Sequence, residues 1–189
     1  MNKPLWQPSE KLKENSLLRD FCKFINFQSS FNFKEIWQWS IDNPNEFWSK
    51  FWDYSKIIGD KGSEIIKKDN VFNKTKFFPD SKLNYTENIL KKKSDKLAIN
   101  FLSEKGFEEN ITWNELYEKV CKFSSYLKKL NLQKGDRVAA YVPNKIETII
   151  CFLACAKNGI IWSSCSPDFG AQGVCLLYTS DAADERHCV

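Results

Sequence analysis

The sequence is almost without histidine: its only one, His187, lies at the far C-terminal end of 189 residues. Everything upstream therefore lacks the commonest general base and the usual Ser/His and Cys/His arrangements. Phosphate-cradling signatures are missing as well. No G-x-x-x-x-G-K-[ST] loop or G-x-G-x-x-G fingerprint occurs. The nearest approach, Gly59-Asp60-Lys61-Gly62-Ser63, has no Lys-Ser/Thr after its second glycine and reads as a solvent-exposed turn. The seven cysteines include no C-x-x-C pair, so no zinc framework or other metal site is expected. Cys151 and Cys155, at i and i+4, share a helix face and are read as small apolar packing residues.

Long apolar runs are also lacking. The most apolar segment, Ile146 to Ile161, is interrupted by Glu147, Lys157, Asn158 and Gly159 and is too short to cross a bilayer. The first fifteen residues, MNKPLWQPSEKLKEN, have no apolar leader core. A cytoplasmic chain without a membrane partner is the expectation. Charge of one sign is weak too: 28 Lys and Arg stand against 24 Asp and Glu, a net +4. The one tight cluster, Lys91-Lys92-Lys93, runs into Ser94-Asp95-Lys96 and reads as a solvated helix end. A nucleic-acid footprint would need a basic stripe with stacking aromatics on the same face, so no nucleic-acid partner is expected.

Aromatic residues, by contrast, make up 15% of the sequence, and many fall in the first eighty positions. Asn43-Pro44-Asn45-Glu46 offers an N-cap, a proline at the first helical position and an acid in the first turn, which predicts a helix start. Phe47 with Phe51 and Trp48 with Trp52 repeat at i,i+4 along it, a spacing that predicts a packed face. Phe31, Phe33, Ile36, Trp37 and Trp39 supply its expected neighbour. Phe77-Phe78-Pro79-Asp80 then predicts an extended entry and turn, followed by a short helix anchored by Leu83, Ile89 and Leu90.

From Leu97 the pattern alternates. Leu97–Leu102 and Phe107–Ile111 read as paired strands around Glu104-Lys105-Gly106. Thr112-Trp113-Asn114-Glu115 fits a capping box, and Leu116, Val120, Phe123, Leu127 and Leu130 follow at helical spacing. Val138–Val142 reads as a strand buried on both faces. Asn144 is the expected cap of a second helix, and Gly159 its left-handed end before a strand at Ile160-Ile161-Trp162. Strand, helix, strand, helix, strand predicts an α/β fold with a mainly parallel sheet, and ligands at the carboxyl ends of the strands. The segment SSCSPDFG lies at one such end. No self-sufficient catalytic constellation can be read from these residues.

Three segments, in order, resemble the acetoacetyl-CoA synthetase branch of the adenylate-forming acyl-CoA synthetase superfamily. They are FFPDSKLNYTENIL (Phe77 to Leu90, with Asp80 in place of the family's usual glycine), GDRVAAYVPNKIETIICFLACAKNGIIW (Gly135 to Trp162) and SSCSPDFGAQGV (Ser163 to Val174). Trp37 to Trp52 is similar to the family's aromatic N-terminal helices. The resemblance implies an acid–thiol ligase, AMP-forming: acetoacetate attacks the α-phosphate of ATP to give an acyl-adenylate, and the coenzyme A thiol then displaces AMP. It implies ATP, coenzyme A and Mg as cofactors and acetoacetate, ATP and coenzyme A as small-molecule partners.

By the same resemblance, residues 1–95 are an N-terminal helical region with its connector, and 96–174 begin the AMP-binding domain. The phosphate loop, adenine motif and catalytic lysine belong downstream of Val174, so no catalytic or metal residue is assigned. In the related acetyl branch the loop equivalent to Ser166, Pro167, Asp168 and Phe169 lines the thioester channel, which makes these four the coenzyme A-side candidates. The alternative is a tight Pro-Asp turn that simply buries Phe169. Residues 175–189 resemble a translated sequencing-library adapter, at Cys175 to Glu185 above all, and are expected to be a non-native tail without a partner in the fold. The fragment 1–174 is expected to be inactive alone. Two further readings stay open: a ligase for another short acyl or 3-oxo acid, and a non-catalytic binding module.

Overall fold

A computed structural model of the chain describes residues 5–27 and 32–179. Two compact units divide at Leu83/Asn84. Residues 180–189, with His187 and most of the expected tail, lie outside the described residues.

The first unit is an aromatic helical cluster. Short helices α1 (Glu10–Glu14) and α2 (Leu17–Phe24) start at Ser9 and Ser16, whose hydroxyls accept from Leu12 N and Arg19 N. Helix α3 (Phe33–Asp42) is capped by Asn32, and α4 (Pro44–Tyr54) begins on the expected proline. Asn43 departs from expectation: it makes no side-chain cap on α4. Its amide instead turns back to donate to the Trp39 carbonyl at 3.3 Å, because the same residue also terminates α3.

The i,i+4 aromatics do pack. Phe47 and Phe51 stack at 6.0 Å, and both lie within 6.0 Å of the buried Phe21 ring in edge contacts. Trp48 meets Phe77 at 5.2 Å and Trp52 meets Phe78 at 4.9 Å. These edge and offset arrangements suit the aromatic quadrupole.

Two short antiparallel ladders complete this unit: β1 (Gly59–Asp60) pairs with β4 (Lys82–Leu83), and β2 (Ile66–Lys67) with β3 (Lys76–Phe77). Gly62 takes a left-handed φ of 77°, so the glycine-bearing segment is a turn. Lys61 within it is half-buried, however, and its ammonium lies 2.6 Å from the Asp53 carboxylate of α4.

The second unit holds the main core. Strands β5 (Leu97–Leu102) and β6 (Glu108–Thr112) form the expected hairpin. Helix α6 (Trp113–Lys129) starts in the expected capping box, with Thr112 Oγ1 accepting from Glu115 N and Glu115 accepting from Thr112 N. Those bonds hold the exposed Glu115 carboxyl below its ordinary pKa. Leu116, Val120 and Leu127 are buried as the spacing predicted; Phe123 is half-buried and Leu130 exposed.

Strand β7 (Arg137–Tyr141), helix α7 (Ile146–Lys157) and strand β8 (Ile161–Cys165) follow, and β7 runs parallel to β8 with Val138 opposite Trp162 and Tyr141 opposite Cys165. This is the parallel pair among the described residues; the other three ladders are antiparallel. The expectation that β7 is buried on both faces fails. Exposure alternates along it: Val138 packs against the helices' apolar cluster, while Arg137, Ala139 and Tyr141 face away from that cover. Helix α7 starts after Lys145 without a side-chain cap, so Asn144 does not have its expected role. Thr148 instead donates to the Pro143 carbonyl at 2.7 Å and ties the first turn to the strand exit. Gly159 has the expected left-handed φ, 71°.

Helix α5 (Tyr85–Ile89) belongs to the second unit. Its buried anchors are Thr86 and Leu90; Leu83 and Ile89, also expected to anchor it, are exposed. Asn84 caps α5 by accepting from Glu87 N at 3.0 Å while its amide donates to the Ala156 and Lys157 carbonyls at the end of α7. At α7's same end, Asn158 and Ser124 exchange hydrogen bonds of 3.1 and 3.3 Å and join α7 to α6. The Leu-Asn-Tyr-Thr-Glu-Asn run thus bonds to carbonyls of the last turn of α7, where a helix end offers acceptors. Nearby, Lys93 lies 4.4 Å over Tyr117 and Lys92 5.2 Å over Trp113, so this part of the lysine cluster is folded onto aromatic faces of α6.

Candidate functional site

The four candidate residues follow β8 directly. Ser166 leads into a single 3-10 turn, Pro167–Phe169, and α8 (Gly170–Thr179) follows. Proline fixes φ for the first position of the turn. The Ser166 hydroxyl donates to Asp168 Oδ2 at 2.7 Å and sits 3.4 Å from Asp168 N, and Phe169 N donates to the Ser166 carbonyl at 3.2 Å. Gly170, with φ 66°, makes the left-handed exit that a side chain would strain.

The structure therefore brings Ser166, Pro167, Asp168 and Phe169 together on one turn at the carboxyl end of a parallel strand. It does not bury Phe169, whose side chain is 60% exposed within this chain. The ring's near edge leans on Gly173, one turn into α8, where an added Cβ would come within 3.3 Å of Phe169 Cβ. Helix α8 extends through Cys175–Thr179, so the backbone continues as helix into the first residues of the expected tail.

One residue was missed from the sequence. Tyr141, the last residue of β7, donates from its hydroxyl to the Pro167 carbonyl at 2.6 Å. The parallel register places Tyr141 opposite Cys165, two positions before that carbonyl, and Val142 N donates to the Cys165 carbonyl at 3.1 Å. A tyrosine in a run of small apolar residues, at a strand end where an exposed turn arrives, is the signal that could have found it.

A pocket of about 280 Å³ opens at the exit of β7, with Val142, Pro143, Thr148, Cys151 and Trp162 in its wall. Its thiol is a poor nucleophile: burial, then the Glu147 carboxylate, raises the Cys151 pKa. Burial, and next the Cys151 thiol, pushes Cys155 from the ordinary 9.0 up to about 11. Both belong to the packing of α7. Among the described residues no three His, Cys, Asp or Glu side chains converge as a metal site. The described residues supply no ligand set for a magnesium ion. No described helix is long and apolar enough to cross a membrane.

Comparison with known proteins gives the context of this geometry. The family model for AMP-binding enzyme matches residues 86–181, and that for the acetyl-coenzyme A synthetase N-terminus matches residues 33–89. The chain is 37% identical over 175 residues to an acetoacetyl-coenzyme A synthetase of Rhizobium meliloti, covering 91% of this chain and 27% of that protein. It is 38% identical over 178 residues to an acetoacetyl-CoA synthetase of Xenopus tropicalis, covering 91% and 26%. Among solved structures, the acetoacetyl-CoA synthetase from Streptomyces lividans superposes with a TM-score of 0.81 at 27% identity, over 92% of this chain and 28% of that one. The chain thus spans about a quarter of the length of these relatives. The matches agree with the resemblance read from residues 77–90, 135–162 and 163–174, and with the α/β fold class. With an AMP-binding match over half its length and an acetyl-coenzyme A synthetase N-terminal segment before it, the chain belongs to the AMP-binding enzyme family.

Proposed function

We propose that the whole protein is an acid–thiol ligase that converts acetoacetate to acetoacetyl-CoA with ATP, releasing pyrophosphate and AMP, in the cytoplasm. The observation that carries this reading is the continuous similarity to acetoacetyl-CoA synthetases along nine tenths of the chain. In the first half-reaction a carboxylate oxygen of acetoacetate attacks the α-phosphorus of ATP and pyrophosphate leaves. In the second, the coenzyme A sulfur attacks the acyl carbon, the thiol proton is lost and AMP departs. Both steps concentrate negative charge, so stabilisation by positioned cations, magnesium among them, is the main catalytic demand.

The part read for the described residues is on the coenzyme A side. Ser166–Phe169 present a carboxylate, a turn and an aromatic face at a strand's carboxyl end, where ligands of open α/β sheets bind. Under this reading the turn borders the path of the coenzyme A thiol, and its task is to orient and to exclude water. The residues that act on phosphate belong to the remaining length of the protein, so residues 1–174 alone are inactive.

Two assays test the proposal. Acetoacetate-dependent exchange of labelled pyrophosphate into ATP reports the first half-reaction of the full-length gene product, and thioester formation on adding coenzyme A reports the second. Both are expected with acetoacetate. A preference for acetate or propionate would overturn the substrate assignment, and no exchange with any short carboxylate would favour a binding module. Exchange by purified residues 1–174 above a heat-killed control would overturn the division of labour.

A further inference from the structure

We infer that Tyr141 is a positioning residue for the thioester-forming step, acting through the peptide unit between Pro167 and Asp168. The inference rests on the proposed role of Ser166–Phe169 and adds to it a residue from the neighbouring strand.

That one peptide is held at both ends. Its carbonyl oxygen, on Pro167, accepts the Tyr141 hydroxyl at 2.6 Å. Its N–H, on Asp168, faces the Ser166 hydroxyl oxygen at 3.4 Å. The same Ser166 hydroxyl spends its proton on Asp168 Oδ2 at 2.7 Å, which fixes the carboxylate against the turn and leaves Oδ1 free of any described partner. Within this chain the turn also packs against α8, which follows it. Its backbone closes with one hydrogen bond, Phe169 N to the Ser166 carbonyl, and Gly170 releases the chain at once into a left-handed conformation. Pro167, Asp168 and Phe169 are all exposed and add no buried apolar anchor.

Such a turn keeps its orientation when a rigid element grips it. Strand β7 is such an element, because Tyr141 sits in register with Cys165 and the ladder continues through Val142 N to the Cys165 carbonyl. The phenol has few rotatable bonds, so its hydroxyl is aimed with little loss of entropy. Loss of this bond lets the peptide plane turn and carries the Asp168 carboxylate and Phe169 ring away from their positions. With the turn on the coenzyme A side, as proposed, the adenylate-forming step is expected to be unchanged.

The test uses the full-length gene product carrying Tyr141→Phe, which keeps the ring and removes only the hydroxyl. The expected result is a rise of about two- to tenfold in KM for coenzyme A, the range for one lost hydrogen bond, with acetoacetate-dependent pyrophosphate exchange and the melting temperature unchanged. Ser166→Ala is expected to shift the same KM, and the double variant to fall short of the product of the two single effects, since both grip one peptide. Unchanged coenzyme A kinetics in Tyr141→Phe, while Asp168→Asn and Phe169→Ala alter them, would overturn the inference and leave the reading of the turn intact. If Asp168→Asn and Phe169→Ala also change nothing, the reading of the turn fails and the inference with it. A parallel fall in both half-reactions with a lowered melting temperature would reduce Tyr141 to a structural residue and equally overturn it.

Discussion

The hydroxyl of Thr86 donates a 2.7 Å hydrogen bond to the carbonyl of Leu153, 67 residues further along, and neither side chain is reached by solvent beyond a few per cent. This bond, with the Asn84 amide on the Ala156 and Lys157 carbonyls, fastens α5 across the last turns of α7. It gives the Leu-Asn-Tyr-Thr-Glu-Asn run a structural purpose that needs no ligand. Because α7 leads directly into β8, the same fastening fixes the strand from which Ser166–Phe169 project.

Replacing Thr86 with valine keeps the shape and removes the donor. It is expected to lower unfolding stability by about 1–2 kcal/mol, the cost of one buried hydrogen bond with imperfect compensation. Urea unfolding of the chain followed by far-UV circular dichroism measures it. No loss would mean that the apolar contacts of Leu90 alone hold α5.

Thr112→Ala opens the capping box of α6 and is expected to cost about 1 kcal/mol. The Glu115 carboxyl should then titrate somewhat closer to its ordinary value, because the Thr112 backbone N–H, the larger cause of its depression, remains while the hydroxyl, the next cause, is lost. A group whose folded pKa is depressed contributes stability above its unfolded pKa that is lost as pH falls through the folded one. Acid unfolding of the variant should therefore be less steep in the carboxylate range, and side-chain carboxyl NMR shifts follow Glu115 directly.

Burial raises the pKa of Cys22, Cys151 and Cys155, the last to about 11 from 9.0. The folded chain therefore holds thiol protons that the unfolded chain releases. Stability from this source is full below pH 9 and is lost as pH rises towards 11, with Cys155 accounting for about 2–3 kcal/mol. Cys155→Ala should start less stable at pH 7 and lose less between pH 9 and 11. Equal slopes for the two proteins in denaturant melts across that range would contradict the shift.

Trp48 and Trp52 pack against Phe77 and Phe78. Trp48→Ala is expected to destabilise the chain by about 2–3 kcal/mol, somewhat less than a fully buried tryptophan. The wild-type chain should show no salt-dependent fluorescence quenching by single-stranded DNA. Salt-sensitive quenching lost in Trp48→Ala would instead reveal a stacking platform.

Gly173→Ala places a methyl group 3.3 Å from Phe169 Cβ, so the turn must give by a few tenths of an ångström. In the full-length gene product this is expected to raise the KM for coenzyme A by less than about tenfold, since a ~1 Å misplacement costs about a hundredfold. Pyrophosphate exchange should not change. A loss of exchange would place the effect in the fold of α8.

Elements whose cause is local were legible in the sequence. The Thr112–Glu115 box, the proline that opens α4, the Gly159 exit and the hairpin at Glu104-Lys105-Gly106 all appear where their residues predict, because capping, φ restriction and turn chemistry act within four residues. The i,i+4 aromatics were legible for the same reason, and so was the turn Ser166–Phe169, whose proline and serine build it from within.

Competition between elements was not legible. Asn43 and Asn144 both have the right chemistry for an N-cap, yet Asn43 is claimed by the end of α3, and at Asn144 the helix begins one residue later with Thr148 stitching its entry. By itself the sequence determined the family, the order of helices and strands from Leu97 to Cys165 and the position of the candidate turn, since each depends on residues adjacent along the chain. Only the tertiary structure decided that Thr86 and Asn84 fasten α7 and that Tyr141 grips Pro167. Those bonds join atoms separated by 26 to 73 residues, and a polar side chain in sequence carries no mark of which distant carbonyl it will satisfy.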